Sequence, residues 1–378
     1  MNRLVLGLVT TLLMLGCGQG GNSSGVAGTK YVGNCPPLST PGNAPGSIGA
    51  VVDQMAATEI ATQGLPSLTV EIAKQGRPLY SQAYGYADDA KCRPAEVSTA
   101  YEIGSVTKQF TAAAILQLEE RGQLTIDSPL TLYLSDYAFD PRITLRMLLN
   151  QTSGLQDYLN LPQSVNWVRG VQERTVLNAI VAAPPVFAPG TAYAYSNSNY
   201  YVLGAVIEAV SGTTYGEYLT AAILGPLGLQ STSLTQPASS AEPYVSRAIA
   251  DPSYFFSAGA LWSNIIDLTA WDAAVSSGRV LDAAHLAEWM NPPRGITDYQ
   301  TATPTDYAMG WVRDSLLGRT FLWHNGETAN FTAFNGVLPD DGLSIAILTN
   351  VPTQEDTPLL EFAKNVLQAT CTAQSGSC

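Results

Sequence analysis

Across residues 47–63 apolar side chains recur at helical spacing, with Ile48, Val51, Val52, Met55 and Ile60 on or near one face, which predicts an amphipathic helix. The period then drops to two. Residues 67–74 alternate as a strand, Gln75-Gly76-Arg77 reads as a turn, and residues 78–86 return, which predicts a hairpin. Gly104 precedes a run rich in Ala, Leu and Gln over residues 105–121 that Gly122 closes, the punctuation of a helix with Ser105 at its N-terminus. From about residue 143 to 235, helical patches alternate with loops marked by Pro and Gly. Strand patterns resume at 321–328, 330–338 and 343–350, the last two joined by a Pro339-Asp-Asp-Gly342 turn, and a helix is expected over 355–368. There is no internal repeat. This order predicts one α+β domain interrupted by a mainly helical insertion.

The N-terminus carries a different signal. Arg3 is followed by an apolar stretch over residues 4–15, shorter than the roughly 20 residues that span a bilayer but suited to a signal-peptide core. Residues 1–16 are therefore expected to be removed on export. The run ends Leu13-Met14-Leu15-Gly16-Cys17, which resembles a bacterial lipobox and implies lipidation of Cys17. Residues 17–45, rich in Gly, Ser and Asn at their start, read as the lipidated cysteine and a flexible tether. The expected location is exported and lipid-anchored to the bacterial envelope, at the periplasmic or cell surface, with membrane contact through the anchor only. Cys35, Cys92, Cys371 and Cys378 remain, an even number in an oxidising setting. Three pairings are open, of which Cys35–Cys92 with Cys371–Cys378 is preferred, and because all four lie near chain ends or in a polar loop they are read as staples rather than catalytic thiols.

Composition narrows the function. A chain of 378 residues with 46% hydrophobic and 13% charged positions can bury a sizeable core. A net charge of −13 repels phosphate backbones, so nucleic acid is not an expected partner. The two histidines, His285 and His324, are too few for a three-His zinc site or a helical HExxH. No metal and no organic cofactor is implied, and a monomer is expected.

Three short motifs carry candidate chemistry. Ser105-Val-Thr-Lys108 places an amine one helical turn beyond a hydroxyl on the same face, the arrangement of a nucleophile and its base. Tyr195-Ser-Asn197 supplies a phenol that can relay a proton and an amide that can orient the lysine. His324-Asn-Gly326 lies on an expected strand. With 29 Ser and 5 Lys, SxxK alone arises about 0.4 times by chance, but all three in this order arise only about 0.01 times. Gly21-Asn-Ser-Ser-Gly25 formally matches a nucleophile elbow, yet no strand precedes it and no helix follows. It is read as linker.

These motifs, with Tyr101-Glu-Ile-Gly-Ser-Val-Thr-Lys108, Ile143-Thr-Leu-Arg-Met-Leu-Leu-Asn-Gln-Thr-Ser-Gly-Leu155, Tyr195-Ser-Asn-Ser-Asn-Tyr200 and Ser257-Ala-Gly-Ala-Leu-Trp-Ser263, resemble in type and order the penicillin-recognising serine hydrolases. The resemblance is to the branch holding class C β-lactamases, D-alanyl-D-alanine carboxypeptidases and related esterases, and runs from about residue 47 to 368. It implies a β-lactamase/transpeptidase-like fold, an antiparallel sheet flanked by helices with an inserted helical domain. The hydrolase would occupy 46–370, its α/β part about 46–105 and 256–370, its helical insertion about 106–255, with a tail at 371–378.

By the same resemblance, Ser105 is the acylated nucleophile, Lys108 and Tyr195 share proton transfer, Asn197 orients, and His324 lines the cleft. The backbone amides of Ser105 and Glu327 would form the oxyanion hole. Asn325, Gly326, Thr328, Asp157 and Tyr158 are assigned to a small-molecule or peptide substrate. Many β-lactamases carry Lys-Thr-Gly where this chain has His324-Asn-Gly326, so a permanent cation is replaced by imidazole. Strand alternation puts Asn325 and Glu327 on one face, where Glu327 is expected to meet the carboxylate of penicillins and acyl-D-Ala-D-Ala and to disfavour it. Arg294 is the alternative partner for such a carboxylate. The expected function is hydrolysis of an amide or ester through an acyl-enzyme, as a carboxypeptidase, esterase or β-lactamase. The competing reading is a non-catalytic surface binding or sensor protein that retains the fold.

Overall fold

The computed structural model describes residues 35, 36, 38, 43, 47–245, 248–353, 357–373 and 378. The expected signal peptide, Cys17 and most of the tether lie outside the described residues. Eleven helices are described: α1 (Ile48–Gln63), α2 (Thr107–Glu120), α3 (Leu145–Leu149), α4 (Glu173–Ala182), α5 (Asn197–Ser211), α6 (Tyr215–Leu219), α7 (Gly225–Leu227), α8 (Pro252–Phe255), α9 (Ile265–Ser276), α10 (Ala283–Trp289) and α11 (Thr357–Ala373). The strands are β1 (Ser67–Lys74), β2 (Arg77–Asp88), β3 (Arg93–Pro94), β4 (Tyr101–Glu102), β5 (Trp262–Ser263), β6 (Val312–Leu316), β7 (Arg319–Glu327), β8 (Thr332–Leu338) and β9 (Leu343–Thr349).

Seven strands form one antiparallel sheet in the order β3-β2-β1-β9-β8-β7-β6, and β4 pairs with β5 apart from it. The sheet brings the two ends of the chain together, since β1 pairs with β9 through Val70 opposite Ile347. Period-2 alternation sorts its side chains to two cores. Val70, Ile72, Phe334, Ile345 and Ile347 pack with Val52 and Ala56 of α1 and Phe362 and Val366 of α11. Ala333, Val337, Ala346 and Leu348 face the other way, into the larger core with α2, α5 and α9. Between β4 and β5 the chain is helical, α2 to α8. Helix α2 is buried from Thr107 to Leu118, and its Phe110 stacks on Trp271 of α9 at 4.2 Å. Sheet and helical block are thus joined through one central helix.

The first hairpin turns as expected at Gln75-Gly76, both with positive φ (51° and 73°), between Lys74 and Arg77. The edge strand β6 was not expected from the sequence. Val-Arg-Asp-Ser-Leu is mostly polar because it closes the sheet edge, and it is joined to β7 by Leu317-Gly318, again with positive φ (55° and 75°). The expected strand start at Asn330 moves to Thr332, because Thr328 N–H donates to the Phe331 carbonyl and closes a turn there. Helix α11 is described over Thr357–Ala373 and so runs past the expected end at residue 368. The Cα atoms of Cys35 and Cys92 are 5.5 Å apart, and those of Cys371 and Cys378 4.6 Å, within the range a disulfide bridges.

Candidate active site

Ser105 sits in a 3-10 turn (Gly104–Val106) that leads into α2, so its hydroxyl projects at the head of the central helix. Two glycines let this turn approach the sheet. Gly104 has φ +48°, and a Cβ there would lie 2.7 Å from the Glu327 backbone nitrogen. A Cβ on Gly326 would lie 1.9 Å from the Ile103 carbonyl oxygen and 3.0 Å from the Ser105 nitrogen. Backbone meets backbone here, which brings the amides of Ser105 and Glu327 to neighbouring positions.

One helical turn on, Lys108 is fully buried, and its ammonium donates to Ser105 Oγ (2.9 Å), Asn197 Oδ1 (2.8 Å) and the Ala258 carbonyl (2.7 Å). Those three acceptors use all three of its N–H bonds. Tyr195 donates to Ser105 Oγ at 2.8 Å, and its ring centroid lies 4.9 Å from Lys108 Nζ. The Ala258 carbonyl, which the sequence reading did not single out, follows Phe256, a non-glycine residue with φ 45°. Such a conformation is costly for a side chain bearing Cβ and marks a segment held by its surroundings. Ser257 Oγ, donating to the Tyr200 carbonyl at 2.8 Å, is part of that hold.

The start of α5 carries Asn197 and is clamped by the loop that follows α3. Gln151, buried with φ 65°, accepts from Ser196 N (3.1 Å) and Asn199 Nδ2 (2.5 Å). Ser198 Oγ donates to the Gln156 carbonyl (2.6 Å) and accepts from Tyr158 N (2.9 Å). Asp157 Oδ2 accepts from both Asn197 N (3.1 Å) and Asn197 Nδ2 (2.8 Å). With its NH2 held by Asp157, the amide of Asn197 turns its oxygen to Lys108. Burial raises the Asp157 carboxyl above the ordinary value, opposed by these N–H donors and by the Lys108 charge.

Two cavities meet at Ser105. The larger, about 770 Å³, is lined by Tyr193, Tyr195, Tyr299, Tyr307, Trp323, His324, Asn325, Asp157 and Asp298 among others. The smaller, about 350 Å³, is lined by Glu102, Gly104, Asn197, Glu327, Thr328 and Asn330 with an apolar wall that includes Leu159, Val168, Tyr254 and Phe255. His324 is 3% exposed. Its Nδ1 lies 2.5 Å from the Asn325 carbonyl, which can only accept, so the proton is on Nδ1 and Nε2 takes the Tyr307 hydroxyl at 3.3 Å. Desolvation, then the Lys108 charge, pull the imidazole down to about 3. It is a neutral group at pH 7.

The structure therefore brings Ser105, Lys108, Tyr195 and Asn197 into one hydrogen-bonded cluster, with Glu327, Asn325, His324, Gly326, Thr328 and Asp157 around it. It corrects three expectations. Tyr158 does not reach substrate: its ring packs on Tyr201 and Trp167 in the helical core, and its hydroxyl donates to the Tyr254 carbonyl at 2.5 Å. Arg294 is exposed and lines neither cavity. Asn325 and Glu327 share a strand face, but two residues of strand rise separate them. Asn325 lines the larger cavity with His324, and Glu327 lines the smaller one.

The family model described as Beta-lactamase matches residues 52–368. Protein flp of Staphylococcus aureus (strain NCTC 8325 / PS 47) is 26% identical over 331 residues, covering 82% of this chain and 64% of that protein. A D-aminopeptidase of Cereibacter sphaeroides is 27% identical over 314 residues, covering 78% and 60%. The chain thus spans less than two thirds of the length of these relatives. Among solved structures, a D-stereospecific amidohydrolase from Streptomyces sp. superposes with a TM-score of 0.72 at 26% identity, covering 83% of this chain and 98% of that one. The octameric penicillin-binding protein homologue from Pyrococcus abyssi shares the fold, with a TM-score of 0.72 at 22% identity over 85% of this chain and 77% of its own. Together with the antiparallel sheet and its flanking helices, the match over residues 52–368 places the chain in the beta-lactamase family.

Proposed function

We propose that this protein is a serine hydrolase that cleaves an amide or ester through an acyl-enzyme on Ser105. The observation that carries the reading is the hydroxyl of Ser105 held between Lys108 Nζ at 2.9 Å and Tyr195 OH at 2.8 Å. Once the Lys108 and Tyr195 pair has given up one proton to solvent, leaving a free amine or a phenolate beside the hydroxyl, Ser105 Oγ attacks the carbonyl carbon and its proton passes to that base. The carbonyl oxygen, now negative, takes the N–H groups of Ser105 and Glu327. Tyr195, on the wall of the larger cavity, gives the proton to the leaving nitrogen or oxygen, and the carbon–heteroatom bond breaks. Water then repeats the sequence on the ester, its proton leaving by the same pair, and Ser105 is restored.

The leaving group is neutral in this reading. The larger cavity presents Asp157, Asp298 and a neutral His324, and among the described residues lining it there is no Lys or Arg. A substrate carboxylate would find no counter-charge there, which favours amides and esters over penicillins and acyl-D-Ala-D-Ala. The similarity to a D-aminopeptidase and to a D-stereospecific amidohydrolase supports an amide as the bond cleaved.

Intact mass against time, for the protein from Gly18 onward mixed with p-nitrophenyl acetate, tests the nucleophile. An acetyl adduct absent from Ser105→Ala is expected, and its absence from the wild type would favour a binding protein. Export with lipidation of Cys17, and the Cys35–Cys92 and Cys371–Cys378 bridges, belong to the same proposal. Mass spectrometry of the membrane fraction should find a diacylglyceryl group on Cys17 and no free thiol on the other four.

A further inference from the structure

The smaller cavity opens beside Ser105, and its lining is one-sided. Tyr101 of β4 points into the core, where its hydroxyl meets Ser67 Oγ at 3.2 Å, so the next residue, Glu102, faces the opposite way. Glu102 is 6% exposed and lines this cavity three residues ahead of Ser105. Thr328 donates to its carboxylate, and burial raises the carboxyl to about 7, with no cationic neighbour among the causes. Asn330, 1% exposed, lines the same cavity. Its Nδ2 donates to the Ala248 carbonyl, which fixes the sense of the amide, and its Oδ1 has no partner. Glu327 adds a second carboxylate. Among the described residues lining the cavity there is no Lys, Arg or His.

A buried carboxylate with one neutral donor and an unpartnered buried carbonyl are both acceptors, and each gains from a further donor. Because Tyr195 lines the larger cavity and protonates the leaving group, that group departs there, and the acyl half of the substrate occupies the smaller cavity. We infer that the smaller cavity is a subsite for a primary ammonium on the acyl half of the substrate, with Glu102 as counter-charge and Asn330 Oδ1 as second acceptor. This rests on the proposed acylation of Ser105. Three residues of chain span at most about 10 Å, so the ammonium lies within one aminoacyl unit or one extended lysyl side chain of the scissile carbonyl. An α-ammonium and a side-chain ammonium present the same chemistry, and the apolar wall of Leu159, Val168, Tyr254 and Phe255 takes the carbons around it.

Calorimetric titration of the Ser105→Ala protein with D-alaninamide, N-acetyl-D-alaninamide and N-acetyl-D-lysinamide tests the subsite without turnover. At least one of the two ammonium-bearing amides is expected to bind about tenfold more tightly than the neutral one, and Glu102→Gln to remove the difference. Preference for D-alaninamide assigns the α-ammonium, and for N-acetyl-D-lysinamide the side-chain ammonium. Equal binding of all three, or discrimination unchanged in Glu102→Gln, overturns the inference. Should Glu102→Gln not fold, the three titrations on the Ser105→Ala protein decide alone. Failure of acylation in the mass assay, with ammonium discrimination intact, would instead sink the nucleophile reading and leave the subsite standing.

Discussion

Gly326→Ala inserts one methyl group where the turn carrying Ser105 touches β7. Its Cβ would stand 1.9 Å from the Ile103 carbonyl oxygen, against an ordinary carbon–oxygen approach of about 3.3 Å. The backbones must therefore part by roughly 1.4 Å, and since the obstructing atoms are main chain, no rotamer relieves the contact. The same shift moves the Ser105 amide, 3.0 Å from that Cβ, away from the Glu327 amide. Misplacement of a reacting group by about 1 Å costs on the order of 10²-fold in rate. Overpacking costs about 1–3 kcal/mol in stability. Acetylation of Ser105 by p-nitrophenyl acetate, followed by mass at 25 °C on protein shown by circular dichroism to be folded, should slow about 100-fold, with a lowered Tm. A variant that acylates at the wild-type rate would refute the argument that Gly326 exists to let the two amides meet.

Other consequences follow from the same geometry. Lys108→Met and Tyr195→Phe each remove a partner of Ser105 Oγ and should lower the acylation rate by roughly 10²–10⁴-fold, with the two losses far from additive in the double variant. Asp157→Ala frees the Asn197 amide to turn its NH2 toward the Lys108 ammonium; a fall of roughly tenfold or more in acylation rate is expected, and an unchanged rate would show that the amide is held otherwise. His324 has its folded-state value pulled from 6.5 down to about 3, so between those pH values the unfolded chain binds the proton and the folded one does not. That part of the stability is whole above pH 6.5 and is lost as pH falls toward 3. Urea titrations of wild type and His324→Gln should diverge over that window, the variant losing less, and the acylation rate should show no step near pH 6.5 from this residue.

The extended and helical segments at the two chain ends were legible because their patterns are forced by burial. Burial on both faces makes Leu343–Thr349 a nearly continuous apolar run, Ser67–Lys74 alternates apolar with polar positions, and the turn at Gln75-Gly76 needs a residue free to take positive φ. The polar edge strand β6 was not legible, since an edge exposed to water imposes no apolar period. The candidate site was legible for a different reason: Ser105 and Lys108 stand one helical turn apart, and the order of the motifs that follow them resembles a known family.

What the sequence could not decide is everything that depends on meeting between distant segments. Tyr195 reaches Ser105 from 90 residues away, and the Ala258 carbonyl reaches Lys108 from 150 residues away, through the packing of α2 against α5 and the turn at Phe256. Tyr158, assigned to substrate by the resemblance, is core, and only the three-dimensional neighbourhood of Tyr201 and Trp167 says so. Glu327 was rightly placed on one strand face with Asn325, yet which cavity each lines is set by where the 3-10 turn bearing Ser105 crosses the strand. Local periodicity thus determined most of the elements, and the ordered motifs with the resemblance they carry singled out Ser105, while the division of charge around it was decided by long-range contacts that no single segment encodes.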